Sequence, residues 1–422
     1  MHRKSSRPFF GWWIVGASFL IALYVGGVLF YGFTAIFEPI ANEMGWSYTQ
    51  ISLAASIRGV EMGLLAPLMG ILVDRWGPRR LIFGGSVISA VGLILLSYAT
   101  SLGMFYGAFI LIAIGTSSCT ITVLLTAVAN WFRRRVGLAS GITVSGFGFG
   151  GLLIPLTVKL IDLYDWRLTM TILALGMLVT VPALSLLFRH RPEQSGHLPD
   201  GQAENPATFD NGSSPPPIVE ASVKGTQALK SSTFWHIALA FMFYSMIVTA
   251  AITHVMPYLS SIGIARSTSS LVATSMPLTS IGGRLSFGWI GDKLEKKWLA
   301  AGGFAMMSLG MLCFSYVSSI GIWLLVPFIV LFGIGYGGSN VLRLSLTREY
   351  FGITSFGTIF GSIIGVNMLG GLIGPPLAGW VFDNWHSYQG IWLVFAGVSV
   401  AALISVLTIR PVRATFKPTN KT

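Results

Sequence analysis

"GILVDRWGPRR", Gly70 to Arg80, packs one carboxylate and three guanidinium groups into eleven residues. The chain on either side is apolar, over residues 48–73 before it and 81–99 after it. A helix that crosses a bilayer needs about 20 mostly apolar residues. Both flanks meet that length, and the charged stretch between them reads as a turn at the membrane surface. The same reading extends over the chain and gives twelve candidate spans: 11–40, 48–73, 81–99, 103–130, 137–162, 167–188, 234–260, 268–290, 298–318, 321–346, 356–382 and 388–409. Composition agrees, with 53% hydrophobic and 10% charged residues, against about 25% charge in a soluble domain. The fold class expected is an all-α membrane protein.

Between the sixth and seventh spans the character changes. Residues 189–232 are polar and rich in Pro, Gly and Ser, too poor in apolar area to order themselves, and are expected to form a flexible cytoplasmic linker. It separates a bundle at 1–188 from one at 233–422. With the N-terminus inside, 21 of the 27 lysines and arginines fall in cytoplasmic segments, so the positive-inside rule places both termini in the cytoplasm. The basic start "MHRKSSRPFFGWW" leads into an apolar run that continues to about Ile40. A signal-peptide core is only about 7–15 residues long, so this run is expected to be an uncleaved first span. The net charge of +12 therefore reflects topology. No aromatic-plus-basic stretch points to nucleic acid. Cys119 and Cys313 lie in apolar runs and are read as buried hydrophobes without a disulfide.

The two halves repeat. "GILVDR" at Gly70–Arg75 and "GWIGDK" at Gly288–Lys293 share Gly, Asp and a base at an offset of 218. "GLLIP" at Gly151–Pro155 matches "GLIGP" at Gly371–Pro375, and "ANWF" ending at Phe132 matches "REYF" ending at Phe351, at offsets of 220 and 219. A duplicated six-span unit is implied, and such transporters bind substrate near the bilayer midplane between the repeats.

The stretch Gly70–Arg80 resembles the loop signature of the major facilitator superfamily, Gly-x-Leu-x-Asp-Arg-x-Gly-x-Arg-Arg, in its family position between spans two and three. "PFFGWWIV", "FEPIANEMGWSYTQ", "NWFRRRVGLASGITVSG" and "FGIGYGGSNVLRLSLTREYFG" resemble the monocarboxylate porter and oxalate–formate antiporter group within it. The resemblance implies two pseudo-symmetric six-helix bundles. It also implies a cytoplasmic gate built on Gly70, Asp74, Arg75, Gly77, Arg79, Arg80 and Asp292, whose carboxylates and bases would pair in one conformation and release in the other.

Arg284 in "SIGGRLSFGWIGDKL" is the sharpest chemical signal. It sits eight residues before Asp292, about 12 Å along a helix. A cation there costs at least ~2.5–3.5 kcal/mol and is a functional-site candidate by default. Its planar fork matches a carboxylate, and its place in span eight resembles the family arginine that holds the substrate. The plain structural alternative is an ion pair with a neighbouring helix. His254 lies about 10 Å inside span seven, counted from Ser261. It can donate to a carboxylate and take up a proton, or simply pack, and the resemblance implies a site role. Tyr336 and Asn340 are spaced i, i+4 on one helix face, and the resemblance favours a substrate site over interhelical bonding. Arg58 and Glu61, at i, i+3, can pair. Glu61 lies about 20 Å inside the cytoplasmic end, so the pair is either structural or a proton-coupling candidate, together with His254. Arg343 is read as snorkelling to the cytoplasmic side. "SGFGFGG" at Ser145–Gly151 mimics a dinucleotide fingerprint but has no strand before it, so its glycines are read as helix-packing residues.

The chain departs from its relatives. Eukaryotic monocarboxylate porters carry a lysine in span one and an aspartate one turn before the span-eight arginine. Span one here has no lysine, and Ser280 stands at the second position. Oxalate exchangers carry a span-eleven lysine that "FGTIFGSIIGVNMLGG" lacks, and one buried cation favours a monoanion. No nucleophile–base pair, nucleotide loop or metal cluster is evident, so an enzyme, a cofactor or an ATP-driven pump is not expected. The expectation is a proton-coupled secondary transporter of a small monocarboxylate of the lactate or pyruvate type, working by alternating access. Its partners would be an organic anion, protons and lipid, with a monomeric transport unit in a bacterial inner membrane. The rivals are a carboxylate exchanger, a multidrug or other solute exporter, and a membrane sensor. Arg284 argues against cationic drugs, and no soluble output domain is visible.

Overall fold

The structure is a computed structural model. It describes residues 9–132, 135–189, 225–291, 293–352 and 356–409, without the side chains of Arg58, Val60, Glu61, Met62, Ala66, Pro67, Asp74, Gly225, Thr226 and Phe356. Every regular element among these residues is helical. In the N-terminal half, α1 (Gly11–Tyr24) passes through a π-helical turn, Val25–Tyr31, into α2 (Phe33–Met44). Then follow α3 (Tyr48–Ser97), α4 (Leu102–Ser117), α5 (Ile121–Trp131), α6 (Val136–Phe149), α7 (Leu153–Tyr164) and α8 (Trp166–Ser185). The C-terminal half holds α9 (Gly225–Lys230), α10 (Ser232–Ser261), α11 (Arg266–Gly291), α12 (Lys296–Ser315), α13 (Val317–Ile320), α14 (Leu325–Phe351), α15 (Phe356–Trp385) and α16 (Gln389–Leu407).

Local chemistry sets several boundaries. Gly45, at φ 66°, closes α2 in the left-handed region that favours glycine. Ser47 and Gln50 form a reciprocal capping box at the start of α3, with Ser47 Oγ accepting from Gln50 N at 3.2 Å and Gln50 Oε1 from Ser47 N at 3.0 Å. Within α3 the helical dihedrals break at Gly77, φ 75° and ψ 159°. Two helices therefore meet at Gly77, within the charged stretch expected to separate two spans. Asp165 caps α8 by accepting from Leu168 N at 2.9 Å.

Ten stretches among the described residues are long and apolar enough to cross a membrane, so the chain is a multi-pass membrane protein. The other two expected spans, 48–73 and 268–290, are helical but fall outside that set. The first includes side chains outside the described residues. The second, α11, carries nine serines and threonines as well as Arg284, which lowers its hydropathy. The expected linker lies outside the described residues over 190–224, and α9 occupies its end.

The helices divide into two compact units. Unit 1 draws on Met1–Thr208 together with Ala250–Leu278 and Pro375–Ser387. Its core holds fully buried Trp131, Phe37, Phe105 and Tyr258. Glycines of the 145–151 stretch pack against α1 and the π-helical turn, Gly146 on Phe19 and Gly150 on Gly27, which is the helix-packing use expected of them. Unit 2 draws on Phe209–Thr249, Thr279–Gly374 and Tyr388–Thr422. Its core is aromatic: Phe314 stacks on Phe328 at 4.0 Å, and Trp392 lies 5.2 Å from Phe314. Cys119 is buried, Cys313 is partly buried, and both are free thiols.

Candidate functional site

In unit 2 the site begins with two backbones in contact. A Cβ on Gly283 would collide with the Ile334 carbonyl, and one on Gly337 with the Ser280 carbonyl. Only glycine lets α11 and α14 approach this closely. The approach occurs within one turn of Arg284, so Arg284 leaves α11 directly beside Tyr336 of α14. Its guanidinium carbon lies 5.9 Å from the Tyr336 ring centroid, at the outer edge of cation–π range. Phe328, Phe332 and Tyr336 stack along α14 at 5.4 and 6.3 Å, giving that helix an aromatic face that ends at the arginine.

Tyr244 of α10 ties the cluster together. Its hydroxyl donates to the Tyr336 carbonyl at 2.9 Å and accepts from Asn340 Nδ2 at 3.2 Å, and its ring lies 6.1 Å from the Tyr336 ring. Tyr244 and Tyr336 are buried, whereas Arg284 and Asn340 keep some exposure. The structure thus sets Arg284 beside Tyr336 and links Tyr336 and Asn340 through one hydroxyl. It adds Tyr244, which no local pattern marks; a tyrosine inside an apolar span was the one available signal. A cation, an amide and two tyrosines on three helices can bind and orient a carboxylate, with the fork of Arg284 taking its oxygens.

Arg343 differs from its expected snorkelling. It sits on the Tyr336–Asn340 face of α14, its guanidinium carbon 6.0 Å from the Phe241 ring and 5.8 Å from the Phe360 ring. With its amide oriented to satisfy both neighbours, Asn367 of α15 accepts from Arg343 Nη1 at 2.9 Å and donates to the Phe241 carbonyl.

His254 belongs to unit 1 and is fully buried. Its Nε2 lies 2.9 Å from Ser52 Oγ and 2.9 Å from the Pro375 carbonyl. Ser52 spends its own proton on the Tyr48 carbonyl at 2.5 Å, so both atoms facing Nε2 are acceptors. Nε2 therefore carries the proton and donates to them. Close by, Asp383 of α15 accepts from Tyr48 N at 2.8 Å, Thr49 N at 2.9 Å and Thr49 Oγ1 at 2.5 Å, an anion on the N-terminus of α3. Arg266 donates to the Ala35 carbonyl at 2.7 Å and pairs with Asp162 at 3.4 Å. The side chains of Arg58, Glu61 and Asp74, and all of Asp292, lie outside the described residues. Of the expected gate, Arg75, Arg79 and Arg80 are exposed on α3, and Gly77 forms its kink.

The sequence profile of the Major Facilitator Superfamily matches residues 14–265 and 243–422, nearly the whole chain. The chain belongs to the Major Facilitator Superfamily. Among curated members it is similar to monocarboxylate transporter 13 of Bos taurus, at 26% identity over 432 residues covering 100% of this chain and 95% of the relative. It is also similar to monocarboxylate transporter 12 of Rattus norvegicus, at 27% identity over 91% and 82% of the two chains. Among solved structures it resembles the nucleoside transporter NupG, with a TM-score of 0.74, 15% identity and 95% and 99% coverage. A bacterial homologue of the lysosomal transporter Spinster in an inward-facing, occupied conformation gives a TM-score of 0.69, 14% identity and 96% and 95% coverage. Those likenesses show the major facilitator fold. Membership makes the chain a membrane transporter of a small molecule, and its sequence resembles the monocarboxylate porter group.

Proposed function

We propose that this chain moves a small organic monocarboxylate, of the lactate or pyruvate type, across a membrane by proton-coupled alternating access. The observation that carries this reading is the Arg284 guanidinium, held beside Tyr336 and within a cluster completed by Tyr244 and Asn340. A carboxylate entering there gains a charge-assisted pair in a low-dielectric setting, where such bonds are about twice as strong as neutral ones. The names of the curated relatives support the substrate class. In this reading residues 1–188 and 233–422 act as two six-helix bundles joined by a linker at 189–232. Both termini lie in the cytoplasm, and the Gly70–Arg80 turn with Asp292 forms the cytoplasmic gate. His254, Glu61 and Arg58 are the candidates for proton coupling, and His254 also for substrate contact.

The test is uptake of labelled lactate, pyruvate, formate and oxalate into proteoliposomes. Arg284→Gln is expected to abolish uptake of the preferred acid while the protein still folds, as judged by its unfolding midpoint. Undiminished uptake of every acid by that variant would refute the assignment. Competition by cationic dyes, with none by acids, would establish an exporter instead.

A further inference from the structure

We propose that Arg343, with Asn367, is a second carboxylate-binding station, placed on the same face of α14 as the Arg284 cluster and nearer the Phe351 end. The proposal rests on reading the chain as a carboxylate transporter.

Register carries the first part of the argument. Tyr336, Asn340 and Arg343 are spaced i, i+4, i+7, so they form one stripe along α14. Arg343 stands seven residues beyond Tyr336, about 10 Å along the axis. Arg284 marks the Tyr336 end of the stripe, so two guanidinium groups bracket it. Tyr244 of α10 meets the same stripe, its hydroxyl bonded to the Tyr336 carbonyl and to Asn340 Nδ2.

The surroundings of Arg343 carry the second part. A guanidinium presents five N–H donors and needs acceptors for them. Here Nη1 donates to the Asn367 amide, and the buried Nε has no hydrogen-bond partner among the described residues. Phe241 and Phe360 lie near 6 Å, where cation–π attraction is weak. The ion pairs formed among the described residues are Arg167–Glu43, Arg266–Asp162 and Lys296–Glu349; none involves Arg343. A snorkelling arginine would turn its head to water and leave its stem on the apolar wall. This one instead holds its head against two rings and an amide, with Nε shielded and the residue as a whole partly exposed. A carboxylate bound to the partly exposed guanidinium would supply the charged acceptor that the Asn367 amide and the two rings do not.

Two anions have this chemistry. One is the same monocarboxylate after it leaves Arg284, in which case Arg343 is a waypoint of transport. The other is the second carboxylate of a dianion long enough to bridge the stripe. The experiment uses the full chain, with L-lactate and succinate as probes. Equilibrium binding is measured in detergent and exchange in proteoliposomes, for wild type, Arg284→Gln, Arg343→Gln and Arg343→Lys. Arg343→Gln is expected to slow lactate exchange or weaken succinate binding about tenfold, with partial recovery in Arg343→Lys. Slowed exchange at unchanged lactate affinity identifies the waypoint, and lost succinate affinity identifies the bridged dianion. The proposal is overturned if Arg343→Gln matches wild type in both assays. It is also overturned if the losses fall together with the unfolding midpoint in both Arg343 variants. If Arg284→Gln keeps full binding while Arg343→Gln loses it, the Arg284 assignment fails and this one stands. Wild-type protein that binds neither acid overturns both.

Discussion

At the scale of single residues, the tyrosine hydroxyl at position 244 is the joint of the candidate site. It is buried, and it satisfies both the Tyr336 carbonyl and the Asn340 amide. Tyr244→Phe keeps the ring but takes the acceptor from Asn340 Nδ2 and a second donor from the Tyr336 carbonyl, which α14 already engages, at a cost of about 1 kcal/mol. The expected outcome is a carboxylate affinity lowered about tenfold, measured by titration, with a modest fall in the unfolding midpoint. Arg284 and the Tyr336–Asn340 pair stand out in the sequence as candidates, because a charge within an apolar run and an i, i+4 polar pair are local signals. Tyr244 does not, because its partner lies 92 residues away. Arg343 was misjudged for the same reason. Distance to a span end is local, whereas the Phe241 and Phe360 rings and the Asn367 amide arrive from α10 and α15.

At the scale of helices, close backbone approach and end-capping do the positioning. Gly337→Ala would drive a methyl group into the Ser280 carbonyl and force α11 and α14 apart, costing about 1–3 kcal/mol. Transport is expected to fall with the unfolding midpoint, because the Arg284–Tyr336 distance depends on that contact. In unit 1, Asp383 holds three donors at the N-terminus of α3. Asp383→Asn removes the charge and half the acceptor capacity, and a loss of about 2 kcal/mol is expected from the charge-assisted bonds. A lower unfolding midpoint in detergent, with an intermediate value for Asp383→Glu, checks it. Hydropathy marked ten spans plainly. It marked α11 poorly because that helix carries the chemistry: serines, threonines, two adjacent glycines and an arginine.

At the scale of the whole molecule, the coupling proposed for transport has a direct signature. If a proton accompanies each anion, acidifying the outside of proteoliposomes should accelerate lactate uptake severalfold and draw lactate above equilibrium. Exchange would instead require an internal anion and show little response to the pH gradient. The all-helical, multi-pass character and the family motif follow from composition and spacing along the chain, since a bilayer selects for length and apolarity wherever the helices end up. The assembly of the site does not follow from them. Lipid is as apolar as leucine, so hydrophobicity cannot choose helix partners inside a membrane, and the choice falls to close packing and a few hydrogen bonds. Folding therefore decided that Tyr244 meets Tyr336, that Asn367 meets Arg343, and that His254 donates to Ser52 and Pro375.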